Sequence, residues 1–410
     1  MLHTLNTIVD KVLAYRPHQK LKKIAPRQAN TNKQKTRTLY PLLKWPGGKE
    51  QELKYILPAA PQQINNYYEP FVGGGAVYSS IQANKYFIND KSSELISFYK
   101  SITNGDRIIF FKAIGEIIHN WNLLTLVIEK NSDYFISIYR KYSQDKIDDA
   151  KLTAILFDFI LKNSDQFNGM FSVVFSFNVE NFIDEIKINL IRKIKRMKDL
   201  EQKNKKLPDV DILDNVETAL KSAFYMHFRH LYNNAKKYRI NSAFRSAIFL
   251  FIRNYAYSGM FRYNAKGDFN VPYGGIGYNR KNFQKKIDYL KSKSLRSHLD
   301  SSVIENVDFE DFFKRHKPTK NDFVFLDPPY DTEFSTYEKN EFTKTDQIRL
   351  ANYLITSCKA KWMLIIKRTD FIYGLYSEKG LNIKSFEKTY LVSFMNRNDK
   401  NAEHLLITNY

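Results

Sequence analysis

The sequence is poor in several things, and each shortage closes off a class of protein. It holds a single cysteine, Cys358. No disulfide can form within the chain, and a reducing compartment is expected. No apolar run approaches the ~20 residues needed to span a bilayer; the longest, "AIFLFI" at 247–252, stops far short. The first residues lack the apolar stretch of a secretory signal. The eight histidines show no His/Cys ligand spacing, so no metal site is expected. No repeat of fixed period is visible. Acids are scarce beside bases, 43 Asp and Glu against 64 Lys and Arg, for a net charge of +21. An excess of that size points to a polyanionic partner, most simply nucleic acid, because mixed-sign surfaces give solubility without it. The expectation is a soluble, intracellular, cytoplasmic protein that faces nucleic acid and engages no membrane.

Apolar material is plentiful. Hydrophobic residues make up 43% of the 410, with 27 Tyr and 31 Phe, enough for sizeable cores in about two or three domains. Residues 1–38 read as a basic, flexible extension. From Tyr40 the pattern is β-loop-α-β. "INNYYEPF" reads as a strand, "AVYSSIQANK" as helix-like, and "YFIND" as a second strand. The same texture returns after residue 300. There "FVFLD" is a strand, "TDQIRLANYLITSC" a helix that Thr345 could cap and that carries Cys358, and "KWMLIIK" a strand; "KTYLVSF" and "EHLLITNY" are β-rich. Between them, helical spacing dominates. Ile183, Ile186, Leu190, Ile194 and Met197 share one helix face, opposite Arg192, Lys193, Lys195, Arg196 and Lys198, before a break at Pro208. The division expected is therefore 39–100 with 301–410 as an α/β domain, and 101–300 as a mostly helical insertion.

Two glycine stretches and one acidic turn carry chemistry. In "EPFVGGGAVY", Gly73, Gly74 and Gly75 follow the first strand and let backbone approach a ligand closely. The dinucleotide fingerprint needs a further glycine where Tyr78 stands, which disfavours nicotinamide and flavin. Asp90 ends the next strand, where an acid accepts hydrogen bonds from ribose hydroxyls. An adenosine-containing ligand with no pyrophosphate grip fits, and S-adenosyl-L-methionine is one. "LKWPGGKE" is no P-loop, since Glu50 follows Lys49. It is either a plain Gly-Gly turn or a place where Trp45 packs a flat ligand and Lys49 meets a carboxylate. In "FVFLDPPYDTEF", Asp327 ends a buried strand, Pro328 and Pro329 stop further pairing, and Tyr330 is expected to stand beyond the sheet edge. Read alone, this is equally a strand closed by an Asp-Pro turn or a rigid carboxylate beside an aromatic plate.

Four segments taken in order, "LKWPGGK", "EPFVGGGAVY" with "FIND", "FRYNAKGDFNVPYGG" and "FLDPPYDTEFSTY", together with the terminal "EHLLITNY", resemble the Dam-like family of DNA adenine-N6 methyltransferases in its α subgroup order. The resemblance implies a Rossmann-like α/β methyltransferase domain with an inserted helical target-recognition domain. It implies cofactor contacts at Trp45, Lys49, Phe71, Gly73, Gly75, Asp90 and Asp327, with S-adenosyl-L-methionine as cofactor. It places the catalytic site at Asp327, Pro328, Pro329 and Tyr330. A DNA-entering hairpin falls near 255–275, with Ser258, Met260, Arg262, Tyr263 and Asn264 as contacts. Ser258 and Met260 depart from the family's usual Asn-Gly-Leu, which leaves the recognition sequence open. The implied partner is double-stranded DNA, with base flipping, no metal and a monomeric enzyme, as in restriction-modification. Rival readings are transfer to cytosine N4, RNA adenine or a protein amide, and a non-catalytic basic DNA-binding module. No acidic-acidic-lysine cluster marks an endonuclease.

Overall fold

The computed structural model describes residues 23, 39–103, 106–163, 178–330, 342–389 and 401–410. The short apolar runs become strands: β1 (Asn66–Glu69), β2 (Lys85–Asn89), β3 (Ser302–Glu305), β4 (Phe323–Leu326), β5 (Lys361–Lys367), β6 (Asn382–Thr389) and β7 (Asn401–Thr408). They form one sheet in the order β3-β2-β1-β4-β5-β7-β6. β7 runs antiparallel to β5 and β6, and the other pairs are parallel. All four residues of β4 are buried, as a strand covered on both faces requires. This is a Rossmann-like α/β sheet, as the resemblance implies. From β1 the strands step outward to β2 and β3, then resume at β4 on β1's other side. Such a reversal leaves a crevice at the carboxyl ends of the two central strands.

Asp322 fixes where β4 starts. Its buried carboxylate accepts from the Thr319 amide at 2.7 Å, the Thr319 hydroxyl at 2.8 Å and the Asn66 amide of β1 at 3.0 Å. Trp362, Leu364, Phe312, Val324 and Leu350 belong to the core on this sheet.

The chain divides into two compact units, residues 1–96 with 292–410, and residues 97–291. The second unit is built from helices Arg107–Lys130, Ser132–Ser143, Asp149–Lys162, Val179–Lys203, Asp209–Asn233, Ser242–Tyr255 and Gln284–Lys291. Its core is aromatic. Trp121 packs against Phe224, Phe251, Tyr255 and Tyr273. In Val179–Lys203 the buried stripe runs through Phe182, Ile186, Leu190, Ile194 and Met197; Phe182 takes the deep position expected of Ile183. On its basic face, Lys195 and Lys198 pair with Asp149 and Asp145 of the same unit.

Several local expectations change. The stretch 76–85 is not a helix but a series of turns ending in β2. Tyr78 is fully buried, its hydroxyl is 2.7 Å from the Ser302 hydroxyl, and its carbonyl faces His298 Nε2 at 3.1 Å. Tertiary partners thus take groups that a helix would have used. Thr343, rather than Thr345, caps the helix Lys344–Thr356 through a capping box with Asp346. Cys358 lies past that helix's end, half-buried, and burial pushes its thiol up to about 11. The basic extension, save Lys23, and most of "KTYLVSF" lie outside the described residues, as does "DTEFSTY" after Tyr330.

Candidate active site

The loop before the helix Leu53–Ala59 places Lys49, and the tip of β4 places Asp327. Lys49 is almost fully buried and its ammonium donates to the Gly47 carbonyl at 2.8 Å and to Asp327 Oδ2 at 2.5 Å, with the Tyr330 hydroxyl at 3.4 Å. The carboxylate that Lys49 meets is therefore the one at the strand tip. Burial pushes the Asp327 carboxyl above its ordinary range, against the pull of the Lys49 cation. Even so, 18% of its side chain stays exposed, so it remains reachable. The buried Gln347 side chain donates to the Pro329 carbonyl at 2.8 Å, which fixes the turn beyond the strand. Among the described residues no donor is placed on the Pro328 carbonyl. Tyr330 does not stand clear of the sheet. It folds back on the core, its hydroxyl 3.1 Å from His404 Nε2.

At the end of β1, Gly73 and Gly75 both take positive φ, +49° and +77°, backbone that favours glycine. Between them Gly74 leaves no room at all: a Cβ there would come 2.5 Å from the Leu43 carbonyl oxygen. Trp45 lies directly beside this turn, its Cδ1 3.0 Å from where a Gly73 Cβ would be. Asp90 ties the turn to β2, accepting from the Gly73 amide at 3.0 Å and the Ser92 amide at 2.9 Å. Burial raises it to about 6, opposed by those two amides. Two amide bonds leave a carboxylate with further acceptor capacity. Phe71 packs edge-on to Phe342 at 5.5 Å and near Phe309 at 5.9 Å. Trp45, Phe71, Gly73, Gly75 and Asp90 thus fall on the β1–β2 side, and Lys49 joins its own loop to Asp327 at the tip of β4.

Sequence reasoning passed over three groups here. Glu69, the last residue of β1, is buried and accepts from the Tyr67 hydroxyl at 2.7 Å; burial holds its carboxyl well above the usual range, and Asp327 and Asp90 push the same way. Asn89 donates to the Pro70 carbonyl at 3.0 Å and the Val307 carbonyl at 3.1 Å, binding the ends of three strands together. His404 is fully buried on β7, and burial with the Lys388 cation lowers it to about 3. The quoted motifs contain all three, but only their neighbours carried a recognisable signal.

In the helical unit, the segment after Ser242–Tyr255 turns back on itself. Tyr263 bridges Phe269 antiparallel, and the Asn270 amide donates to the Arg262 carbonyl at 3.1 Å. At the tip, Asn264 Oδ1 accepts from the Lys266 and Asp268 amides, and Gly267 takes φ +79°. Helix Asp209–Asn233 holds this hairpin: Asn233 exchanges two hydrogen bonds with the Phe269 backbone, and Tyr225 and Arg229 both donate to the Val271 carbonyl. Arg262 is exposed, its Nε donating to Asn270 Oδ1 at 3.0 Å. Ser258 is exposed in positive φ, and Met260 is half-buried. Tyr263 packs against Phe261 and Phe269 rather than projecting alone.

Among the described residues there is no cluster of acids, histidines or cysteine suited to a metal, and no helix is long and apolar enough to cross a membrane.

Comparison with known proteins meets this geometry. A type II methyltransferase, M.CviBI of Paramecium bursaria Chlorella virus NC1A, is 24% identical over 375 residues, covering 90% of this chain and 99% of its own. M.MjaIII, a type II methyltransferase of Methanocaldococcus jannaschii, is 26% identical over 393 residues, with the same coverage. The DNA adenine methylase of Vibrio cholerae is 26% identical over 174 residues, 40% of this chain and 58% of its own. The family model for D12 class N6 adenine-specific DNA methyltransferases matches residues 45–220 and 211–392, from Trp45 across Asp327 and through β6, and the chain belongs to that family of adenine-specific DNA methyltransferases.

Proposed function

We propose that the protein transfers a methyl group from S-adenosyl-L-methionine to the N6 amine of an adenine turned out of duplex DNA. The observation that carries this reading is the placement of Asp327. It sits at the carboxyl end of β4, at the sheet's switch point, held by a buried lysine yet still reachable. The residues suit the cofactor. Asp90 keeps acceptor capacity for ribose hydroxyls, and Phe71 and Trp45 offer flat surfaces. The Gly73–Gly75 turn brings backbone close. When bound, the cofactor supplies an electrophilic methyl on a sulfonium sulfur.

An adenine amine is a weak nucleophile because its lone pair is delocalised into the ring. The Asp327 carboxylate and the Pro328 carbonyl accept its two protons and turn the lone pair toward the methyl. The nitrogen–carbon bond forms as the sulfur–carbon bond breaks, the sulfur keeps that electron pair, and one amine proton leaves to Asp327 or solvent. The gain is orientation and charge placement rather than strong base. Tyr330 stacks on the extruded base, and basic residues offset the few kcal/mol of unstacking through phosphate contacts. In the hairpin, Arg262→Ala weakens binding to the preferred duplex by ~1–3 kcal/mol if its fork reads a base.

The test is to incubate protein, methyl-labelled S-adenosyl-L-methionine and duplex DNA, then digest to nucleosides. Label in N6-methyldeoxyadenosine is expected. Label in N4-methyldeoxycytidine, or on RNA in preference to DNA, or no transfer, overturns the reading.

A further inference from the structure

We propose that His404 is a positioning residue for the proposed reaction: its imidazole accepts a hydrogen bond from Tyr330 and fixes that ring beside Asp327 before a base arrives. The inference rests on the function proposed above.

The proton inventory assigns the direction of each bond. His404 Nδ1 lies 3.3 Å from the Ala402 carbonyl. A carbonyl only accepts, so Nδ1 carries the proton and Nε2 presents its lone pair. Tyr330's hydroxyl, 3.1 Å from Nε2, is then the donor. The hydroxyl's own lone pairs face the Lys49 ammonium at 3.4 Å, and the same ammonium holds Asp327 at 2.5 Å. Donation thus runs from Lys49 to Tyr330 to His404 to Ala402, with a branch to Asp327. One cation links the acid and the aromatic ring, and one histidine sets the ring's far end.

His404 is well placed to be that fixed point. It pairs in register with Lys367 of β5 and Phe386 of β6, so strands on both sides hold it. The Phe386 ring stacks on it at 5.8 Å, and it has no exposed surface. Burial and neighbouring lysines keep the ring neutral, which preserves the accepting nitrogen. Tyr330, by contrast, sits at the end of a turn, where an unanchored ring would have to be ordered at each binding event. Ordering it in advance removes that cost from the reaction.

The experiment is a double-mutant cycle on the full chain, with single-turnover methyl transfer to duplex DNA and calorimetric binding of S-adenosyl-L-methionine as readouts. His404→Leu fills the buried space without an acceptor, and Tyr330→Phe keeps the ring without its donor. Each should slow transfer by about five- to tenfold without weakening cofactor binding. The double variant should be no slower than the slower single, because both remove one bond. His404→Gln, whose amide oxygen reaches toward the Nε2 position, should recover most of the rate. Independent, multiplying losses overturn the proposal. So does His404→Leu at the wild-type rate, or a stably folded His404→Gln as slow as Tyr330→Phe. A wild-type protein that methylates no duplex overturns the functional reading itself. Normal wild-type transfer with an additive cycle overturns only the role of His404.

Discussion

Lys49 and Asp327 meet at 2.5 Å in the sheet unit, and Lys221 and Glu217 meet at 2.6 Å in the helical unit. Both lysines are buried, yet the surroundings differ. Lys221 and Glu217 are one turn apart on helix Asp209–Asn233. Glu217 also accepts from the Thr125 hydroxyl at 2.8 Å, and Lys221 donates to the Asn279 carbonyl at 2.8 Å and lies over the Trp121 ring. Their side chains are 8% and 3% exposed. That pair is more enclosed, and these partners all lie in its own unit. It borders a cleft of 740 Å³ lined also by Val210, Leu213 and Phe283. In the sheet unit the partners come from distant parts of the chain and the carboxylate keeps a face free. The same kind of ion pair therefore serves packing in one place and holds the proposed reactive group in the other, and accessibility of the acid distinguishes them.

The largest effect expected follows from the open pair. Asp327→Ala should lower single-turnover methyl transfer by ~10³-fold, about 4 kcal/mol of barrier. If that variant kept wild-type turnover, the comparison would lose its chemical half. Next comes the closed pair. Lys221→Met leaves Glu217 buried without its cation and should cost ~3 kcal/mol of stability, read in thermal or urea unfolding. Methyl transfer per folded molecule should stay at the wild-type rate. Adding Glu217→Leu should return much of that loss, since a buried ion pair and an apolar pair of similar volume are close in energy. A double variant as unstable as the single would show that the ion pair stabilises the unit in a way its apolar replacement does not.

What the residues announced in advance was local. "FVFL" followed by an acid and two prolines specifies a buried strand with a carboxylate at its tip, because each residue's constraint acts on its neighbours. Three glycines after "EPFV" specify a tight turn for the same reason. The partners of those groups were not announced. Lys49 reaches Asp327 across 278 residues, and only the order of strands brings them together. His404 stands in a plain alternating strand, "EHLLITNY", where nothing distinguishes a buried acceptor from an exposed imidazole. Asn233 looks like any residue near a helix end, yet it clamps the hairpin. Even the wrong helix at 76–85 has this origin: Tyr78 reads as an ordinary helix residue until His298 and Ser302, far along the chain, take its polar groups.

The smallest effect sharpens the comparison through a second pair of like residues. His227, in the helical unit, is as buried as His404, and burial likewise lowers it to about 3. In an unfolded chain it titrates near 6.5. Between those values the unfolded state takes up a proton that the folded state refuses. The contribution of neutral His227 is therefore complete above pH ~6.5 and is lost progressively as pH falls toward ~3. Asp90 works against this trend: its folded value of about 6 lies above the 3.8 of an unfolded chain, so the folded state gains a proton first. A difference between wild type and one variant cancels that term. His227→Gln should flatten the fall of stability between pH 6 and 4 by ~1.4 kcal/mol per pH unit, measured by urea unfolding at several pH values. The methyl-transfer rate at neutral pH should not change, because His227 lies in the helical unit, where its Nδ1 donates to Asn181 Oδ1 at 3.2 Å. Equal slopes for wild type and variant would mean that His227 charges in the folded protein, and its burial would then have no energetic consequence.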